Sequence, residues 1–221
     1  RFRDEQGLNY EIQIDGSCNE KNFKAMREAA RALDILFVVD EVITGFGRTG
    51  PMFACDAEGV EPDLMTVAKG LTSGYVPMGA TLMSDKVYAA IADGAPKGAP
   101  IGHGATYSAH PVSAAVALEV LRLYEEGGVL ANGQRVARTF GQGLDDLLAH
   151  PLVGDSRHRG LLGALELVSS KTTKTGFDAA LDLPTRMAAT AYRNGIVFRA
   201  FGDNILGFAP ALTFTESDFG L

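Results

Sequence analysis

Ile35-Leu-Phe-Val-Val39 followed by Asp40, and Leu64-Met-Thr-Val-Ala68 followed by Lys69, decide how this chain folds. Each is a short apolar run rich in β-branched residues, the pattern of a parallel strand buried on both faces. Gly79-Ala-Thr-Leu-Met83 reads as a third such run. Around these runs the periodicity is helical. Phe23, Met26, Ala30 and Leu33 recur at helical spacing over 21–33, and a second helix is predicted at about 85–93. Val112, Ala115, Val116, Val120, Leu121 and Leu123 mark a longer helix over 111–126. Strands alternating with helices in this way imply an α/β layer architecture with a mostly parallel sheet.

The later third has a different rhythm. A helix at about 131–149 leads to Leu161-Leu-Gly-Ala-Leu-Glu-Leu-Val168, where apolar and small residues predict a strand. A helix over 183–194 ends on Asn194-Gly195, a good C-cap. Two short strands near 196–200 and 205–209 flank the turn Gly202-Asp-Asn204. The expectation is a small α+β domain over 116–221, opened by the 111–126 helix, after part of a larger domain over 20–115. Residues 1–19 are polar and stay unassigned, with one weak strand pattern at Tyr10-Glu-Ile-Gln-Ile14 before Asp15-Gly16.

Composition limits the partners. The 221 residues carry 20 Lys+Arg against 27 Asp+Glu, a net charge of −7, which argues against a face for nucleic acid. No apolar run approaches the roughly 18 residues that span a bilayer, so no membrane partner is expected. Cys18 and Cys55 are too few for a disulfide framework and match no metal spacing, which reads as a reducing, cytoplasmic compartment. The chain starts without Met and stops at Thr215-Glu-Ser-Asp-Phe-Gly-Leu221, like a helix cut off after its cap. It reads as a piece of a longer chain.

Asp40 and Lys69 each stand immediately after a strand, and in open α/β sheets the carboxyl ends of strands open onto the ligand crevice. An edge ion pair fits the same position equally well. A lysine at a partly buried strand end is a candidate Schiff-base nucleophile, because desolvation lowers the ammonium pKa. A carboxylate facing the same crevice can keep a pyridine nitrogen protonated, which an electron-sink cofactor requires. Glu41, next to Asp40 on a strand, should face the other way as a structural ion-pair partner. Arg159 reads as structural, and His103, His110 and His158 have no arrangement that implies a metal.

Asp40-Glu-Val-Ile-Thr-Gly-Phe-Gly-Arg-Thr-Gly50, with Glu61-Pro-Asp-Leu-Met-Thr-Val-Ala-Lys-Gly-Leu-Thr-Ser-Gly-Tyr-Val-Pro-Met-Gly-Ala80, resembles the class III pyridoxal-phosphate aminotransferases. The resemblance runs from about Phe23 to the C-terminus, and Asp4, Gly7 and Tyr10 faintly resemble an early strand of that family. It implies a fold type I PLP-dependent transferase working as a homodimer with shared active sites. It further implies that Lys69 binds pyridoxal 5'-phosphate covalently and moves the proton, and that Asp40 pairs with the pyridinium nitrogen. Val42, on the same face of the strand as Asp40, would pack under the ring. Thr106, in Gly102-His-Gly-Ala-Thr-Tyr-Ser-Ala-His-Pro111, matches the position that reaches a neighbouring subunit's cofactor phosphate. Arg199 matches the arginine that binds the substrate carboxylate in the amine–pyruvate subgroup, and Tyr107 is a candidate for the pocket wall.

Within the family, Ile43 stands where many ornithine, acetylornithine and 4-aminobutyrate enzymes carry Gln. With the 70–80 stretch, this places the chain nearer the ω-amino acid or amine:pyruvate type. Ala105 replaces the aromatic residue usual at its position. The expected reaction moves an amino group from an amine or ω-amino acid to a keto acid such as pyruvate. A PLP aminomutase, a diamine transaminase, and a catalytically incompetent fragment or apo form remain alternatives. Much of the family's chain that precedes the Asp40 strand is missing here, and a parallel sheet without it exposes unpaired edges and apolar faces.

Overall fold

The computed structural model describes residues 22–95 and 104–219. The strand expected near 10–14, the Asp4–Tyr10 resemblance, Cys18 and His103 lie outside the described residues. Helix α1 (Phe23–Ala32) leads into β1 (Val38–Asp40), then come α2 (Ala54–Glu58), β2 (Leu64–Val67), β3 (Ala80–Met83) and α3 (Asp85–Gly94). After them follow α4 (Pro111–Glu125), α5 (Val129–Asp146), β4 (Val153–Arg159), β5 (Leu162–Leu167), α6 (Leu183–Arg193), β6 (Arg199–Phe201) and β7 (Ile205–Phe208). The strands form two sheets, ordered β1-β2-β3 and β4-β5-β7-β6.

The first sheet starts later than the sequence suggests. The Asp63 carboxylate accepts the Phe37 N–H at 2.8 Å, and the Phe37 carbonyl accepts from both Asp63 and Leu64. The Asp63 side chain takes the Phe37 N–H, and the Leu64 bond to the Phe37 carbonyl opens the ladder, in which Val38–Asp40 pair with Leu64–Thr66 in parallel. Arg27 of α1 closes this corner. It is buried, donates to the Glu61 carbonyl at 2.8 Å, lies 3.8 Å from Asp63 and stands over the Phe37 ring.

Two expectations for this sheet need correction. β3 runs antiparallel to β2, because 68–79 folds as a 3-10 turn and tight turns instead of a crossover helix. The outer strands are not buried on both faces: Val38 is 57% exposed, and all four residues of β3 are exposed. Only central β2 alternates between half-buried and buried residues, with Met65 and Val67 in the core. That core is Phe46, Cys55, Met65, Val67 and Leu71 packed against Ala117, Val120 and Tyr124 of α4.

The second sheet is antiparallel throughout. β5 alternates strictly, placing Gly163, Leu165 and Leu167 inward against Val136, Phe140 and Leu144 of α5. A Cβ on Gly163 would lie 2.3 Å from a Leu144 methyl, so α5 rests directly on the sheet. Strand β4 escapes a sequence reading because Gly-Asp-Ser-Arg-His-Arg shows no apolar alternation; its polar side chains pair at the surface, as Arg157 does with Asp155 and Glu166. Helix α2 is equally hidden, being five residues long and closed by Asp56 on the Phe53 N–H and by left-handed Gly59.

The two sheets meet through the 41–53 loop. Gly160, at the β4–β5 corner, has φ +60, and a Cβ there would lie 2.5 Å from the Thr49 carbonyl carbon. Leu161, the next residue, is fully buried and donates its N–H to the Arg48 carbonyl at 2.9 Å. No helix among the described residues is long and apolar enough to cross a membrane.

Candidate active site

Asp40 and Lys69 leave the same edge of the sheet. The parallel register pairs Asp40 with Thr66, and the Glu41 N–H extends the ladder to the Thr66 carbonyl at 2.9 Å. Lys69 follows just past the end of β2, so a carboxylate and a primary amine sit at the carboxyl ends of neighbouring parallel strands. Both residues are exposed. The expectation of a desolvated Lys69 is therefore not met: nothing among the described residues covers this edge.

The backbone carrying Lys69 is nonetheless held tightly. Lys69 has φ +44, in the left-handed region that L side chains rarely adopt, and it opens the 3-10 turn Lys69–Thr72. Next to it, a Cβ on Gly70 would lie 2.7 Å from the Phe46 Cβ, so the two chains touch. Tyr124 stacks on Phe46 with ring centroids 5.8 Å apart and donates its hydroxyl to the Gly70 carbonyl at 3.2 Å. The side chain is exposed while the backbone that carries it is braced.

The strand ends at Asp40 because the chain turns there. Oδ1 accepts the Val42 N–H at 2.9 Å in an Asx turn, and the Glu41 carbonyl, the next acceptor along the ladder, is taken by the Gly45 N–H at 2.9 Å. Val42 is thus half-buried in a turn, and it is not on a continuing strand as the sequence reading has it. Glu41 points away from the crevice, as expected, and has no exposed surface. Its partners are not cations: one carboxylate oxygen accepts the Thr44 hydroxyl and the other the Cys55 N–H at 2.8 Å. Two hydrogen bonds, one from the start of α2, replace the expected ion pair. Burial, reinforced by the Glu41 charge, pushes the Cys55 thiol up to about 12.

Thr106 and Tyr107 lie on the exposed segment before α4. There the Ser108 hydroxyl accepts the Ala105 N–H and the Ser108 N–H returns to the Ala105 carbonyl, both at 2.9 Å. Tyr107 is 80% exposed, its ring 6.1 Å from that of His110. Tyr124, near the far end of α4, is the residue that touches Gly70. At about 1.5 Å of rise per residue, Pro111 lies about 20 Å along the helix from that contact. No hydrogen bond joins Thr106 to Lys69 among the described residues.

Arg199 sits in the second sheet, on edge strand β6 opposite Gly207, and is exposed. Its guanidinium carbon stands 5.0 Å over the Phe201 ring, two residues along the same face. Arg159 pairs with Glu58 at 2.8 Å, and His158 with Asp145 at 3.2 Å. Sequence reasoning did not single out Arg48, whose Nη1 donates to the carbonyls of Leu161 at 2.9 Å and Pro210 at 2.5 Å. Its partners are backbone atoms more than 110 residues away, which leave no trace in a local pattern.

Comparison with known proteins shows the family of the chain. The family model for class-III aminotransferases matches residues 17–220. An uncharacterized aminotransferase, y4uB, of Sinorhizobium fredii is 43% identical over 202 residues, covering 90% of this chain and 43% of its own length. Gamma aminobutyrate transaminase 3 of Solanum lycopersicum is 38% identical, with 88% and 37% covered. Putrescine--pyruvate aminotransferase of Pseudomonas aeruginosa is 41% identical, with 87% and 41% covered. A crystal structure of the ω-transaminase from Pseudomonas jessenii in complex with PMP superposes with a TM-score of 0.83 at 39% identity, over 90% of this chain and 44% of that one. The chain spans about two-fifths of the length of these curated relatives.

Proposed function

The chain belongs to the class-III aminotransferases, a family of fold type I transferases, and from that premise we propose that it takes part in PLP-dependent transamination from an amine or ω-amino acid to a keto acid such as pyruvate. The observation that carries this reading is the pair Asp40 and Lys69 at the ends of register-matched parallel strands. Their chemistry fits pyridoxal phosphate: an accessible primary amine for its aldehyde and an accessible carboxylate for its ring nitrogen. Pyridoxal phosphate, when bound, supplies an electron sink for the charge left on the donor carbon after a proton departs.

The residues of this chain would do the rest. Lys69 Nζ would hold the cofactor by its aldehyde and would serve as the base for the proton at the donor carbon. The left-handed backbone of Lys69 and the Gly70–Phe46 contact fix the point from which that side chain leaves. Asp40 holds a proton at the ring nitrogen, with Oδ1 steadied by the Val42 N–H. Val42, half-buried in its turn, would offer an apolar surface to the ring. Thr106 and its neighbouring N–H groups would bind the phosphate of a partner subunit's cofactor, which agrees with their exposure. The exposed Val112 and Leu118 of α4 favour the same homodimer. Arg199 reads the keto-acid carboxylate with a bidentate fork, and Tyr107 lines the pocket.

We extend the proposal to a division into a cofactor-binding unit over 20–115 and a smaller unit from 116 onward, and to a cytoplasmic location, favoured by the free, buried Cys55. A diamine is the second donor class to test, because one relative is a putrescine--pyruvate aminotransferase. The deciding experiment adds pyridoxal phosphate to the purified protein and reduces the mixture with borohydride. A label fixed on Lys69, absent from Lys69→Ala, supports the reading; a label elsewhere, or none, removes it.

A further inference from the structure

Arg48 joins the loop that leaves Asp40 to the second sheet at two points. Nη1 donates to the carbonyls of Leu161, just before β5, and Pro210, just after β7. The Leu161 N–H returns to the Arg48 carbonyl at 2.9 Å, and Gly160 presses on the same stretch of backbone. Gln134 adds a bond from α5 to the Gly50 carbonyl at 2.9 Å. Strand β7, which ends near Pro210, is paired on one side with β5 and on the other with β6, where Arg199 lies opposite Gly207. A single guanidinium therefore spans from the turn after Asp40 to both strand ends that set the place of β6.

A plain stabilising role fits this residue poorly. Burial lowers the Arg48 pKa from its ordinary value, a sign that the charge is held at a cost. Among the described residues no carboxylate lies within ion-pair range of it; the carbonyls of Leu161 and Pro210, with Tyr124 nearby, are what face the charge. What the arrangement provides is a fixed geometry between two sheets that share no strand.

We propose that Arg48 is a positioning residue for the acceptor: it sets the distance between the Asp40–Lys69 strand ends and the Arg199 guanidinium. The proposal rests on the transamination reading and on Arg199 as the carboxylate reader. Acceptors with a carboxylate depend on that distance, whereas acceptors without one do not.

The test uses the holoenzyme with pyruvate and, separately, an uncharged aldehyde as acceptor. Arg48→Met keeps the length and removes the donors. Its pyruvate kcat/KM should fall at least about tenfold, through KM, the scale of losing charge-assisted hydrogen bonds. Its aldehyde kcat/KM should stay within about twofold. Arg48→Lys should recover part of the pyruvate loss, and the Leu161 amide should exchange faster in Arg48→Met. Adding Arg48→Met to Arg199→Ala should cost nothing further with pyruvate. Equal losses with both acceptors, or losses that multiply in the double variant, would overturn the proposal and leave Arg48 as a structural tie. If Arg48→Met fails to fold, Arg48→Lys is judged by the same acceptor ratio. An Arg199→Ala variant that treats both acceptors alike removes the carboxylate reading itself, a result seen without touching Arg48.

Discussion

The Tyr124 hydroxyl donates to the Gly70 carbonyl at 3.2 Å, bracing the backbone next to Lys69 from a helix 54 residues away in sequence. Tyr124→Phe keeps the stack on Phe46 and removes only this bond, at about 1 kcal/mol of stability. The expected outcome is a small drop in Tm with a larger drop in kcat, because the lysine-bearing turn loosens. A variant with full kcat would show that the turn holds its shape without the bond.

Alkaline pH should expose the buried thiol. Folding raises the Cys55 pKa from an ordinary 9.0 to about 12, so the folded chain keeps a proton that the unfolded chain releases. The stability this represents is complete below about pH 9 and declines as pH rises towards 12. Denaturant midpoints measured across that window should fall more steeply in the parent than in Cys55→Ala. Ellman's reagent at pH 8 should find the Cys55 thiol only after unfolding.

Glu41 is expected to be worth more than its neighbour on the strand for stability. Glu41→Ala leaves the buried Cys55 N–H without its acceptor, at about 1–3 kcal/mol, and removes the partner of the half-buried Thr44 hydroxyl. Asp40→Ala, at an exposed position, should move Tm little. Chemical denaturation of the two variants side by side gives the comparison, and a larger loss for Asp40→Ala would reverse it.

Asp40→Asn should separate binding from chemistry. The amide still accepts the Val42 N–H, so the turn survives, but it cannot hold a charge against the cofactor's ring nitrogen. Cofactor content should stay near that of the parent while single-turnover rates fall with every donor tried. Unchanged rates would mean that Asp40 serves only the turn.

Much of this was legible in the sequence, for physical reasons. The runs before Asp40 and Lys69 are apolar and β-branched, and nothing but a strand suits them in that setting. The helices over 111–126 and 183–194 carry their own periodicity and caps. What stayed hidden depends on groups far apart in the chain. The direction of β3 is set by how 68–79 turns, the exposure of Lys69 by what fails to cover it, and the role of Arg48 by carbonyls in another sheet. β4 was invisible because its outward side chains are charged and its inward ones are few. Glu41 was read correctly in direction and wrongly in partner, since alternation tells which way a side chain points but not what waits there.

The left-handed backbone of Lys69 has a consequence for anyone who evolves this scaffold. Glycine adopts such a φ freely, whereas a lysine is strained there by roughly 1–2 kcal/mol. Lys69→Gly should therefore melt higher than the parent while losing the amine altogether. A library screened on thermal resistance alone will enrich that substitution, so selection for robustness and selection for turnover pull this one position in opposite directions.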